Sequence, residues 1–143
     1  MIICSRCGAM HDGRKWTYRE ENEKDKTQNR WVKGRVSVSL CPGCLRTKRG
    51  EVEGVVTLRG SFLKAHAMEI GNLIRRTAAR VSRRNVGARI IREIQDDDGI
   101  VIQTTDQHLA EKIGKEVEKA FKGSLRIMWQ EQDRFVRVIW ERN

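Results

Sequence analysis

The chain has 143 residues, enough for one ordinary domain or a small unit joined to a modest second one. No stretch approaches the apolar length needed to cross a bilayer, and with 29 Lys/Arg against 19 Asp/Glu the net charge of +10 predicts attraction to polyanions. The charge is uneven: residues 1–50 hold 12 Lys/Arg and 5 Asp/Glu, whereas residues 94–143 hold 8 and 10.

The first 50 residues are bounded by two Cys-x-x-Cys pairs, Cys4/Cys7 and Cys41/Cys44. A thiolate is a soft ligand, and four of them close a tetrahedral Zn²⁺ site with no position left for water. Gly8 follows the first pair and Pro42-Gly43 lies inside the second, residues that suit tight knuckles. The spacing therefore points to one structural zinc ion in a ribbon too small to fold alone. A redox pair and two disulfides are the alternatives. With a candidate ligand at position 4 no cleavable leader is expected, and free cysteine pairs suit a reduced, cytoplasmic setting. His11 is surplus to four sulfurs and reads as a surface residue. Between the pairs, "EENEKDKTQN" is too polar for core and reads as a solvated arm. Val36, Val38 and Leu40 alternate as a strand entering the second pair. "LRTKRGEVEG" reads as a linker, giving units 1–50 and 51–143.

From residue 51 the pattern is regular. "VVTLRG" is a short strand. Ser61 is placed to cap a helix with apolar positions Phe62, Leu63, Ala67, Ile70, Leu73, Ile74, Ala78 and Val81, ending near Ser82 with Gly87 in the following turn. "RIIREIQDDDGIVIQTT" is a hairpin. A three-residue loop, Asp97 to Gly99, would pair Ile94 with Ile102 and put Ile90, Ile94, Ile100 and Ile102 on one face. Leu109, Ile113, Val117, Ala120 and Phe121 stripe a second helix whose outer side mixes signs, as in Glu111–Lys115. Two closing strands can place Leu125, Ile127 and Trp129 beside Val136, Val138 and Trp140. The expected class is α+β: a zinc ribbon, then a ferredoxin-like β-α-β-β-α-β-β unit with both helices on one face of an antiparallel sheet.

Two basic regions stand out. Arg75, Arg76, Arg80, Arg83, Arg84, Arg89 and Arg92 follow one another with no acid between them. A solvated face normally mixes signs, so this row is a candidate phosphate-binding surface, with Arg76, Arg80, Arg83 and Arg84 as its contacts. The ribbon supplies Arg14, Lys15, Arg30, Lys33, Arg35, Lys48 and Arg49. Trp16, Tyr18 and Trp31 lie among them, fit either to stack on unpaired bases or to form the ribbon's small core. Nothing points to catalysis or a small-molecule substrate. His66 and His108 have no evident partner, Asp96 to Asp98 read as turn chemistry, and no phosphate-cradling glycine loop or nucleophile motif is present.

"LRGSFLKAHAMEIGNLI" and "DGIVIQTTDQHLAEKIGKEVEKAFKG", downstream of the Cys-x-x-Cys pairs, resemble the ribosomal large-subunit export adapter family, named for nonsense-mediated decay protein three. The resemblance is strongest from about residue 58 to 123. It implies ribosomal RNA and the large subunit as partners, in assembly, quality control or protection of idle subunits. The family's eukaryotic members carry further Cys-x-x-Cys pairs and domains with export signals. This chain has two pairs, resembles a short prokaryotic-type member, and nuclear export is not carried over. Composition alone equally suits a zinc-ribbon DNA-binding or transcription accessory protein.

Overall fold

The computed structural model of the chain describes residues 1–18 and 36–143. Strands β1 (Ile2–Cys4), β2 (Met10–His11), β3 (Trp16–Thr17) and β4 (Ser37–Ser39) form a small sheet of order β3-β2-β1-β4. β4 lies within the alternating stretch that leads into the second cysteine pair, and it runs parallel to β1 with Ile3 opposite Val38. The expected arm, together with Arg30, Trp31, Lys33 and Arg35, lies outside the described residues.

The second cysteine pair departs from expectation. It opens helix α1 (Pro42–Arg49) rather than a second knuckle, so much of the supposed linker is helical. Cys41 is the N-cap, its sulfur accepting from the Cys44 N–H at 3.4 Å. Pro42 stands in the first turn, where its missing N–H and fixed φ do no harm. Arg46, Lys48 and Arg49 fill the last turn, where helix carbonyls favour cations. Only Gly43 and Cys44 are buried within α1, and this weak apolar periodicity is what hid the helix.

The second sheet is built from β5 (Gly54–Arg59), β6 (Ile90–Asp96), β7 (Gly99–Thr104), β8 (Ser124–Gln130) and β9 (Phe135–Glu141), with α2 (Ser61–Arg84) and α3 (Gln107–Phe121) between them. The chain order matches the expected β-α-β-β-α-β-β. Ser61 is the first helical residue of α2, and Gly60 takes the cap position without a side-chain bond. The topology is a correction: the sheet is mixed, with order β6-β7-β5-β9-β8 and β5 parallel to β9. β9 inserts beside the first strand and displaces β8 to the edge. Burial explains this, since Val136, Val138 and Trp140 of β9 are fully buried while Trp129 of β8 stays 44% exposed. β8 and β9 pair Leu125 with Trp140, Ile127 with Val138 and Trp129 with Val136, which puts these six residues on one face as expected.

One face of this sheet carries Val56, Leu58, Ile100, Ile102, Val136, Val138 and Trp140. Leu63, Ile70, Ile74 and Ala78 of α2 and Leu109, Ala110, Ile113 and Val117 of α3 pack into the same cluster, so both helices cover that face. The 3.6-residue spacing predicted these contacts except Ala110, and of the expected stripes Ala120 is exposed and Ala67 lies outside the cluster.

The hairpin register also differs. Asp96 pairs with Gly99, leaving a two-residue loop of Asp97 and Asp98, and Ile94 faces Val101 instead of Ile102. The Asp96 carboxylate makes the tighter turn, accepting from the N–H groups of Asp98 at 2.8 Å and Gly99 at 3.0 Å. A side chain at Gly99 would meet the Leu58 carbonyl of β5 at 2.1 Å. A bulge between Ile90 and Arg92 then resets the phase. Ile90 packs on the core, whereas Ile94, four residues on, lies on the open face. Ile102→Ala should therefore lower stability by about 2–5 kcal/mol, and Ile94→Ala by less than about 1 kcal/mol. Urea titration of the two variants checks the register, and equal losses would contradict it.

Candidate metal centre and basic surfaces

The end of β1 and the start of α1 bring the four sulfurs together. The Cys4 N–H donates to the Ala9 carbonyl at 2.7 Å and the Gly8 N–H to the Cys4 carbonyl at 3.1 Å, which closes the first pair into a knuckle. The Ala9 N–H points at the Cys7 sulfur at 3.5 Å. All four Sγ atoms, of Cys4, Cys7, Cys41 and Cys44, lie within 4.8 Å of one another, and those of Cys7 and Cys41 are 3.6 Å apart. A tetrahedral ion with metal–sulfur bonds of about 2.3 Å requires sulfur separations of about 3.8 Å. A disulfide requires about 2.05 Å, and all four cysteines are free. The cluster can hold a metal ion, and His11 is not part of it. His11 instead packs on Trp16, and its Nδ1 accepts from the Gly13 N–H.

Electrostatics point the same way. Burial pushes the Cys41 thiol up to about 11, and burial with the neighbouring sulfurs raises Cys44 further. Burial also opposes ionisation at Cys4, yet N–H groups of Cys7, Cys41 and Arg6 outweigh it and lower that thiol to about 6. Several thiolates crowded together repel, and a cation at their centre removes the penalty.

The surroundings of the cluster come from both units. Val86, on the loop from α2 to β6, is buried with Cys4, Ala9, Cys41 and Cys44, and Trp16, Tyr18 and Leu40 pack around them. The core reading of Trp16 and Tyr18 is thus the one found, and Trp31 lies outside the described residues. Gly43 explains itself here: a Cβ would lie 2.1 Å from the Val86 carbonyl and 2.7 Å from Arg89 Nε. Arg89 reaches the Cys7 sulfur at 3.5 Å and the Cys41 sulfur at 3.6 Å. Sequence reasoning placed Arg89 in the surface row, because no spacing rule links position 89 to a knuckle at position 7.

The other basic residues separate by environment. Arg14 and Lys15 are exposed at the β2–β3 turn, where the Asp12 carboxylate accepts from both their N–H groups at 2.8 and 3.1 Å. These bonds hold the Asp12 carboxyl below its usual range. Lys48 and Arg49 are exposed at the end of α1, with Arg49 3.8 Å from Glu51. On α2, Arg76, Arg80, Arg83 and Arg84 are all exposed. The row is free of acids in sequence but not in space, since Glu93 of β6 lies 3.6 Å from Arg75 and Glu116 of α3 lies 3.9 Å from Arg80. Lys112 also bonds Glu116 and, with Arg80, lowers its carboxyl. Among the described residues Arg76, Arg83 and Arg84 form no ion pair within 4 Å, although Glu116 lines one depression with Arg76 and Arg83 and Glu69 lines another with Arg76. A shallow depression lined by Thr77, Arg80, Val81, Arg83, Arg84 and Lys112 runs beside them. His66 stacks on Phe62 with centroids 4.1 Å apart, and His108 sits 4.0 Å from Glu111. The two histidines lie apart from the cysteine cluster.

No helix among the described residues is long and apolar enough to cross a membrane. A scan against protein-family models, a search of curated proteins and a search of solved structures each returned no match.

The raised thiols of Cys41 and Cys44 are protonated at pH 7 without metal and must ionise to ligate. Binding a thiophilic divalent ion at that pH should therefore release at least two protons, one from each. Calorimetry in buffers of different ionisation enthalpy reads this number. Release of fewer than two would show the thiols already ionised.

Proposed function

We propose that the chain is a non-catalytic, zinc-containing RNA-binding protein that associates with the large ribosomal subunit, in assembly, quality control or protection. The observation that carries the polyanion reading is the exposed trio Arg76, Arg83 and Arg84, which make no direct ion pair among the described residues, on a chain of net charge +10. Planar guanidinium groups match phosphate oxygens in pairs. Counterion release from the phosphate backbone supplies the free energy. Arg14, Lys15, Lys48 and Arg49 offer a second, smaller basic surface on the N-terminal unit. The resemblance to the export adapter family names the ribosome as the particular partner. The DNA-binding alternative shares the electrostatics, and direct competition between ribosomal RNA and duplex DNA separates the two.

Zn²⁺ is the ion that best suits four thiolates in a tetrahedral site. With all four positions taken by sulfur, it has no vacancy for water and serves folding rather than chemistry. Metal analysis should find one Zn²⁺ per chain, and Cys41→Ser should lose it. Hydrogen exchange should then show the N-terminal unit opened, while the core around Ile102 and Ile113 stays protected, because the two clusters are separate.

Changing Arg76, Arg83 and Arg84 to Gln should lower the slope of log affinity for structured RNA against log salt by about two to three. The same three changed to Glu should release the protein from large subunits in a sucrose gradient, with helix content unchanged. Cosedimentation of the Glu variant at ordinary salt would show that α2 is not the contact.

A further inference from the structure

Arg89 is tied down at both ends. Its backbone belongs to the second unit: the N–H donates to Thr105 Oγ1 at 2.8 Å, and the carbonyl accepts from the Thr105 N–H at 2.9 Å. Thr105 also donates through its hydroxyl to the Gly87 carbonyl at 2.6 Å, which fixes the loop just before Arg89. The side chain turns toward the N-terminal unit. Its Nε donates to the Val86 carbonyl at 3.1 Å, its terminal nitrogen reaches Sγ of Cys7 and Cys41, and its guanidinium lies over the Tyr18 ring at 5.1 Å. Gly43 has no side chain where the loop presses on the α1 N-terminus.

A divalent ion held by four thiolates carries a formal charge of −2. Cys4, Cys41 and Cys44 are buried, so water does little to screen that charge. N–H donors at the sulfurs and a nearby cation are the available compensation, and Arg89 supplies both to two sulfurs on different elements. We propose that Arg89 is the outer-sphere cation of the tetrathiolate centre, and that through it the bound ion locks the N-terminal unit onto the α2–β6 loop. It is a positioning residue and not a ligand. Without the ion there is no dianionic metal–thiolate centre for the guanidinium to face, and the attraction across the junction weakens. The metal thus sets the placement of the Arg14 and Lys48 surface relative to α2. This inference rests on the metal reading of the cysteine cluster and is independent of RNA binding.

The test uses the full chain, with Zn²⁺ competition against a chromophoric chelator and the sulfur-to-metal charge-transfer band of the Co²⁺-loaded protein. Arg89→Met should weaken Zn²⁺ binding about 10–100-fold, as loss of an outer-sphere partner does. It should also move the charge-transfer band, because two sulfurs lose their donor. Arg89→Lys, which keeps a cation, should recover part of the affinity. In the unaltered chain, removing the metal should raise amide exchange at residues 86–89 while β5 and β7 stay protected. If the Met variant does not fold, Arg89→Gln takes its place, since it too removes the cation and must also bind more weakly. Wild-type Zn²⁺ affinity with an unmoved cobalt band in a folded Met or Gln variant would overturn the inference. So would exchange at 86–89 that ignores the metal. An unaltered chain that takes up neither Zn²⁺ nor Co²⁺ would instead overturn the metal reading itself.

Discussion

Among its described residues the N-terminal unit has almost no apolar interior, and its order depends on four sulfur atoms sharing one small volume. Its described strands are two or three residues long, and besides the cysteines the buried members of the described apolar cluster are Ala9 and Val86, the second borrowed from the other unit. So little buried surface cannot offset the chain entropy of ordering the segment. Crowded thiolates add repulsion. A cation at their centre reverses the sign of that interaction, so the free energy of metal binding becomes the free energy of folding. The position of the second pair helps, because Cys41 and Cys44 stand where the free N–H groups of a helix start favour negative charge.

The core of the second unit does not depend on this device. Its interior is an ordinary apolar layer between one sheet face and two helices, with the largest side chain, Trp140, fully buried. That layer is a base for α2, whose 18 residues beyond the non-helical His66 extend about 27 Å. Arg83 and Arg84 lie in its last turn, where the helix carbonyls offset part of their mutual repulsion. A row of cations can therefore stay exposed at that end without breaking the helix. The remaining field points outward, where a phosphate backbone would meet it.

What was legible in the sequence was whatever a few neighbouring residues decide. The cysteine spacing located the candidate ligands, and helical periodicity located α2, α3 and the stripe each buries. The closing strands paired as their alternation required, Leu125 against Trp140 and Ile127 against Val138. Non-local choices were not legible. No local feature of β9 says that it will lie parallel to β5, because that position was settled by competition with β8 for the buried place. The hairpin was misread for a subtler reason: the Asp96 carboxylate substitutes for a backbone turn, so two aspartates suffice where glycine was expected inside the loop. Helix α1 was missed because its start is set by a sulfur cap and a proline, and its interior has little apolar periodicity to announce it.

The seven arginines from Arg75 to Arg92 show what that limit means for function. In sequence they form one acid-free run, and one surface is the natural reading. In space they divide by what stands opposite them. Arg75 and Arg80 meet Glu93 and Glu116 from other elements, so part of their charge is already spoken for. Arg92 lies on the open sheet face beside Gln103. Arg89 turns inward to the sulfurs of Cys7 and Cys41. Arg76, Arg83 and Arg84 remain for an external anion. Only five positions separate Arg84, facing solvent, from Arg89, facing the cluster. The end of α2 that presents the free cations is thus the end that leads into the cysteine cluster. A cation bound among those sulfurs would therefore act on both the small unit and the helix terminus that carries the exposed arginines.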